Sequence, residues 1–184
     1  PAVVSGPVPH SCRSHGGNLL SMAALTLSLS RRIPASQQAV WTVIADIAGS
    51  PDRIASIAEV ELLTSDPVGV GSRWKETRLL LGRKTTEVME MTVFEPPARY
   101  VVEGDACGAH FVSELRCEPD GDGATMLTMT MDTTPITWLA RLMGPVAKLT
   151  LGTSRKMIEQ DLDDIFKACV PDEDSARPNG PGDA

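Results

Sequence analysis

From Ile57 to Thr133 the apolar residues recur at every second position, and from Pro135 onward at every third or fourth. That single change of period confines the chain to few architectures. Successive side chains of a strand point to opposite faces, so alternating strands build a sheet with one apolar face, which needs a cover. The long helical repeat that follows is the cover. The expected class is α+β: a curved antiparallel sheet of about seven strands wrapped on a long C-terminal helix.

The order of elements follows from punctuation. Ala24 to Ile33 alternates as a strand, and Pro34-Ala35-Ser36 stops it. Ser36 is a good N-cap for a helix whose face carries Val40, Trp41, Ile44 and Ile47. Gly49-Ser50-Pro51 ends that helix, and Pro51 is suited to open a second, short one around Asp52 to Ser56. Strands are then expected at Ile57–Thr64, Gly71–Leu80, Lys84–Phe94, Arg99–Glu103, Ala109–Glu118 and Ala124–Thr133. Turn residues separate them, at Asp66-Pro67-Val68-Gly69, Leu81-Gly82-Arg83, Pro96-Pro97 and Pro119 to Gly123. The helical repeat from Ile136 to Cys169 is interrupted at Gly144-Pro145, where a kink or a short leading helix is expected. The order is β-α-α-β-β-β-β-β-β-α.

The ends read differently. Residues 1–22 are rich in Pro, Gly, Ser and His without a period, and residues 171–184 read PDEDSARPNGPGDA. Both are expected to be disordered extensions of a domain at 23–170. Met22, opening the first patterned segment, is a candidate translation start. A signal-peptide core at Leu19–Leu29 is the rival reading, but Arg13 would be its one fixed positive charge. Leu25, Leu27 and Leu29 also alternate with Thr26, Ser28 and Ser30, as a strand does.

Charge and cysteine usage exclude several functions. A net charge of −7 argues against a nucleic-acid binder. No apolar run approaches the roughly 18 residues of a membrane-spanning helix. The four cysteines, Cys12, Cys107, Cys117 and Cys169, form no zinc-like spacing. Free thiols imply a reducing, cytoplasmic setting. His110 is the one histidine outside the N-terminal stretch, so neither a His-based metal site nor a Ser-His-Asp set can be assembled. No P-loop or dinucleotide fingerprint appears, and no cofactor is expected.

At this point the sequence resembles a known family. IPASQQAVWTVIADIAGSPDRIASI resembles the opening of the START/Bet v 1-like (SRPBCC) superfamily, in its polyketide cyclase/dehydrase and lipid-transport branch. PVGVGSRW, VFEPPARY and EPDGDGATMLTM follow in the family's order, so the resemblance spans about Ala24 to Val170. It implies a helix-grip fold with a cavity between sheet and long helix, in which members bind lipids, sterols, polyketides or plant hormones. Some members act as cyclases or dehydratases.

Strand parity then names the expected lining. On the fourth strand Met89, Met91 and Val93 share a face; on the sixth, Phe111, Ser113, Leu115 and Cys117; on the seventh, Leu127, Met129 and Met131. The helix would meet them with Met143, Val146, Leu149, Thr150, Thr153 and Met157. Any one Met is also suited to plain packing, since cores use it as a gap-filler. The tight turn at Leu81-Gly82 would set Trp74 opposite Met89 and Glu76 opposite Glu87, with Arg78 one step along. All four should then face inward with Met89. Two carboxylates beside a guanidinium could hold a ligand's polar end, or one could act as acid or base. A plainer reading leaves the three charges solvated on a hairpin tip beyond the helix, and the splaying of strand ends at sheet edges favours it. His110 should be exposed. Asp161, Asp163 and Asp164 should form the solvated face of the long helix.

The expected function is that of a carrier or sensor, monomeric or homodimeric, for a hydrophobic small molecule. The alternative is a cyclase or dehydratase with Glu76 or Glu87 as general base and Arg78 stabilising an enolate or phenolate. A third possibility, an acidic protein-interaction module, rests on the composition of the tails.

Overall fold

The computed structural model describes residues 25–65, 67–80, 82–106, 108–137 and 144–170, with residues 80 and 144–151 described as backbone. The elements are β1 (Leu25–Ile33), α1 (Gln37–Ala45), a one-turn 3-10 helix (Ser50–Asp52), β2 (Ile57–Leu62), β3 (Arg73–Leu80), β4 (Arg83–Glu95), β5 (Arg99–Ala106), β6 (Ala109–Pro119), β7 (Thr125–Pro135) and α2 (Gly144–Cys169). The terminal stretches 1–22 and 171–184 expected to be disordered lie outside the described residues. So does the segment 138–143 that would lead into the long helix.

The strands form one seven-stranded antiparallel sheet in the order β1-β7-β6-β5-β4-β3-β2. From β2 to β7 each strand pairs with the next in sequence, and β1 closes onto β7, leaving β1 and β2 as edges. Irregularities at Ile57/Glu59 and at Met91/Val93 interrupt two ladders. Such an extra residue bends a strand and sharpens its twist, which supplies the curvature that a sheet needs to grip a helix. On the outer face Ser28 meets Thr130 at 2.8 Å and Ser30 meets Thr128 at 2.9 Å. Those cross-strand hydroxyl pairs satisfy polar side chains on the face away from the core.

The inner face carries the core. Ile33, Met91 and Leu127 are fully buried from the sheet, Val40 from α1 and Ile158 from α2. Ser36 caps α1, its Oγ accepting from the Ala39 N–H at 3.3 Å. Trp41 on α1 packs against Phe94 and Tyr100, with ring centroids 5.4 and 6.1 Å away. The long helix reaches the sheet edge through Arg31, which pairs with Asp163 at 3.0 Å and lies over the Phe166 ring at 4.8 Å.

One element differs from expectation. The second, short helix, expected around Asp52 to Ser56, is a single 3-10 turn containing Pro51 at Ser50–Asp52. The Ser50 hydroxyl donates to the Ile47 carbonyl at 2.8 Å, and the Ala55 N–H donates to Asp164 Oδ2 at 3.1 Å. A carboxylate from the distant helix takes up an amide that an α-helix would otherwise have used, so the turn stops and the chain enters β2.

Candidate functional site

The turn at Gly82, a residue held at φ +76°, fixes the β3–β4 register on which the site depends. Trp74 stands opposite Met89, Glu76 opposite Glu87 and Arg78 opposite Thr85. Trp74 is 2% exposed and Glu76 8%, so this face of the hairpin is folded into the molecule. The solvated hairpin tip expected for these charges is therefore corrected for Glu76 and Arg78. The reason lies on α2: Asp161, expected on a solvated face, is 2% exposed and turned towards β3.

These residues make a connected polar network. Arg78 donates from Nε to Glu76 Oε1 at 2.6 Å and from Nη1 to Asp161 Oδ2 at 2.7 Å. Nη1 also reaches Ser56 Oγ at 2.9 Å, and the Ser56 hydroxyl donates to Asp161 Oδ1 at 2.7 Å. The second oxygen of Glu76 accepts from Trp74 Nε1 at 3.3 Å. Burial works against the Arg78 charge, but the two carboxylates outweigh it and raise its pKa, so the guanidinium stays charged. Asp164, also expected to be solvated, is buried and accepts from Gln160, Lys167 and the Ala55 amide. Asp163 is half-exposed, in its pair with Arg31.

Beside the network lies a cavity of about 80 Å³, bordered by α1, the 3-10 turn, strands β2 to β7 and α2. Its apolar wall includes Ile44, Trp74, Met89, Val102, Leu115 and Met129, and its polar wall Glu76, Arg78, Tyr100, Ser113 and Asp161. Ser113 is 5% exposed and its hydroxyl has no hydrogen-bond partner among the described residues. Buried polar groups are normally paired, so an unpaired one facing a cavity marks a point where a guest can bind. Burial, with Glu76 nearby, raises the Tyr100 pKa and keeps it a neutral phenol. Arg53 also lines the cavity, but its charge is answered by Asp46 at 2.9 Å.

The expected lining residues divide into groups. Trp74, Met89, Ser113 and Met129 line this cavity with Glu76 and Arg78. Met91 and Leu127 are fully buried core, and Phe111 and Met131 pack against that core. Thr153 and Met157 are half-buried on α2 away from the cavity wall. Met143 and the side chains of Val146, Leu149 and Thr150 lie outside the described residues. Glu87 is half-buried opposite Glu76 on the inner face of the hairpin, outside the cavity lining, while Arg73, Glu90, Glu103 and His110 border a separate open groove of about 570 Å³. Partial burial raises the Glu87 pKa, Arg78 opposes that, and Glu76 adds to it. His110 is partly exposed and bonded through Nδ1 to Asp105 at 2.8 Å, which raises its pKa.

Parity alone did not single out Tyr100, Val102, Ser56 or Asp161. For Asp161 a signal was present: it sits between Ile158 and Leu162 on the apolar stripe that continues to Ile165. Among the described residues no group of three or more His, Cys, Asp or Glu is placed to hold a metal ion. Cys117 and Cys169 are both unpaired, and burial pushes their thiols up to about 12 and about 11.

Comparison with known proteins extends this picture. The family model described as "Polyketide cyclase / dehydrase and lipid transport" matches residues 24–168. A solved protein of Thermus thermophilus shares the fold at TM-score 0.68 and 15% identity, covering 81% of this chain and 99% of its own. The Zhui aromatase/cyclase of Streptomyces sp. R1128 superposes at TM-score 0.67 and 17% identity, over 80% of this chain and 94% of its own. A truncated norcoclaurine synthase from Thalictrum flavum does so at TM-score 0.63 and 16% identity, over 85% and 99%. At such identities the likeness is one of fold. No curated protein matches the sequence.

Proposed function

The chain belongs to the polyketide cyclase/dehydrase and lipid-transport family of the START/Bet v 1-like (SRPBCC) superfamily, and from that premise we propose that it binds or transports a hydrophobic or amphipathic small molecule, lipid or polyketide-like, between sheet and C-terminal helix. The observation that carries this reading is the largely apolar cavity with the buried Ser113 hydroxyl, unpartnered among the described residues, on its wall. A volume of about 80 Å³ admits a functional group or a single small ring, below the roughly 300–1,000 Å³ of a drug-sized site. A larger guest therefore needs side chains to move. Met89 and Met129, unbranched and with several rotatable bonds, are the wall residues best able to do so.

The second reading, a cyclase or dehydratase with Glu76 or Glu87 as general base and Arg78 as electrostatic stabiliser, has the family description in its favour. Against it, both oxygens of Glu76 are already engaged, by Trp74 and Arg78. Glu87 stands opposite Glu76 beside the network but is not among the residues that line the cavity. An enzyme of that kind would lose turnover by roughly 10²–10⁴ on removal of its base. We place the protein in the cytoplasm, as a monomer or homodimer, the unpaired Cys117 and Cys169 being suited to a reducing compartment. No described helix is long and apolar enough to cross a membrane.

Native mass spectrometry of protein purified gently from its own host tests the binding reading. The expected result is a discrete excess mass that is lost on denaturation and is absent from a Val102→Phe variant with a filled cavity. No excess mass, together with no thermal shift against a panel of lipids and aromatic polyketides, would overturn it.

A further inference from the structure

We infer that the cavity selects a guest whose polar end is an uncharged hydroxyl or carbonyl, and that it rejects carboxylates and phosphates of similar shape. This rests on the ligand-binding reading above and adds the chemical class of the guest.

The charges around the space set this preference. Arg78 would be an obvious anchor for an anion if it stood alone. It does not: Glu76 lies 2.6 Å from Nε and Asp161 2.7 Å from Nη1, one positive charge against two negative ones. The other cation on the cavity wall, Arg53, is bound to the Asp46 carboxylate at 2.9 Å and to its carbonyl at 2.8 Å. With Arg53 turned to Asp46, the network of Glu76, Arg78 and Asp161 presents a fixed charge of −1 on its side of the cavity. An anion entering here would lose its hydration and meet two carboxylates whose charge Arg78 offsets only in part.

The uncharged groups on the wall supply what a neutral polar guest needs. The Ser113 hydroxyl, buried and unpartnered, can both donate and accept. The Tyr100 phenol, kept neutral by its burial, stands on the cavity wall and can donate or accept. Arg78 holds the network through Nε and Nη1, and its guanidinium edge also lines the cavity. Such a set complements a ketone, a phenol or an alcohol.

Matched naphthalene probes test this on the full chain: naphthol, acetonaphthone and naphthoate, titrated by calorimetry at neutral pH. Naphthol and acetonaphthone should bind, with naphthoate at least about tenfold weaker. Ser113→Ala should weaken both neutral probes by about tenfold. Asp161→Asn should narrow the gap by strengthening naphthoate. If that variant does not fold, Glu76→Gln serves, and the wild-type ratio decides in any case. Naphthoate binding as tightly as naphthol would overturn the charge argument while leaving ligand binding intact. Absence of binding by all three probes would instead count against the cavity as a ligand site, and this inference would fall with it.

Discussion

Arg78 Nη1 donates to Asp161 Oδ2 at 2.7 Å, joining β3 to α2 across 83 positions of the chain. The bond is part of a buried network, so removing one member strands another. Asp161→Ala should cost about 3–5 kcal/mol in urea unfolding, because it leaves a guanidinium buried with half of its compensation. Replacing the charges together, with Glu76→Gln, Arg78→Met and Asp161→Leu, should recover most of that loss, since Gln still accepts from Trp74 and no bare charge remains. A single variant as stable as the parent would show that the ion pair contributes nothing to the fold.

Glu87 predicts a pH dependence of definite sign. Its pKa is raised in the folded protein, chiefly by burial, so the folded state holds this proton more tightly than the unfolded chain does. Its contribution is most favourable below the ordinary glutamate value and is lost as pH rises through the folded-state value. Glu87→Gln, which cannot ionise, should therefore raise the melting temperature at neutral pH. The gain should vanish near pH 4, roughly where glutamate protonates in both states. An equal gain at both values would assign the effect to packing and not to ionisation.

Gly104 is a place where a methyl group does not fit. A Cβ there would lie 2.8 Å from the Val88 carbonyl oxygen and 2.7 Å from Phe111 Cζ. The ring can swing away, but the carbonyl belongs to β4 of the paired sheet and moves only with its strand. Gly104→Ala should cost about 1–3 kcal/mol by denaturant unfolding. The penalty should persist in a Phe111→Leu background, because the backbone contact remains. Its disappearance there would locate the clash at the ring alone.

The Trp74–Met89 and Glu76–Glu87 pairs were legible from sequence because a two-residue period and a tight turn determine both register and face. The same rule weakens on β5, where Tyr100, Val101 and Val102 are buried in succession next to the Met91/Val93 irregularity. That is why Tyr100 and Val102 escaped a parity argument. The charges escaped for another reason. Period tells which face a residue takes, but a buried carboxylate needs a specific partner, and Asp161 finds its own on a strand far back in the chain. The apolar neighbours Ile158, Leu162 and Ile165 placed it on the inner stripe, and its chemistry argued the opposite. Without the Arg78 pairing in view, chemistry prevailed.

The central claim is that an uncharged apolar molecule enters the space between β3–β7 and α2. Methionine-methyl NMR during a titration with naphthol addresses it directly. Met89 and Met129 line the cavity, whereas Met126 lies on the opposite face of β7. The account predicts saturable shifts of the Met89 and Met129 methyl signals with Met126 unmoved. Shifts confined to Met126, or none at any methyl up to saturation of the probe in water, would contradict it.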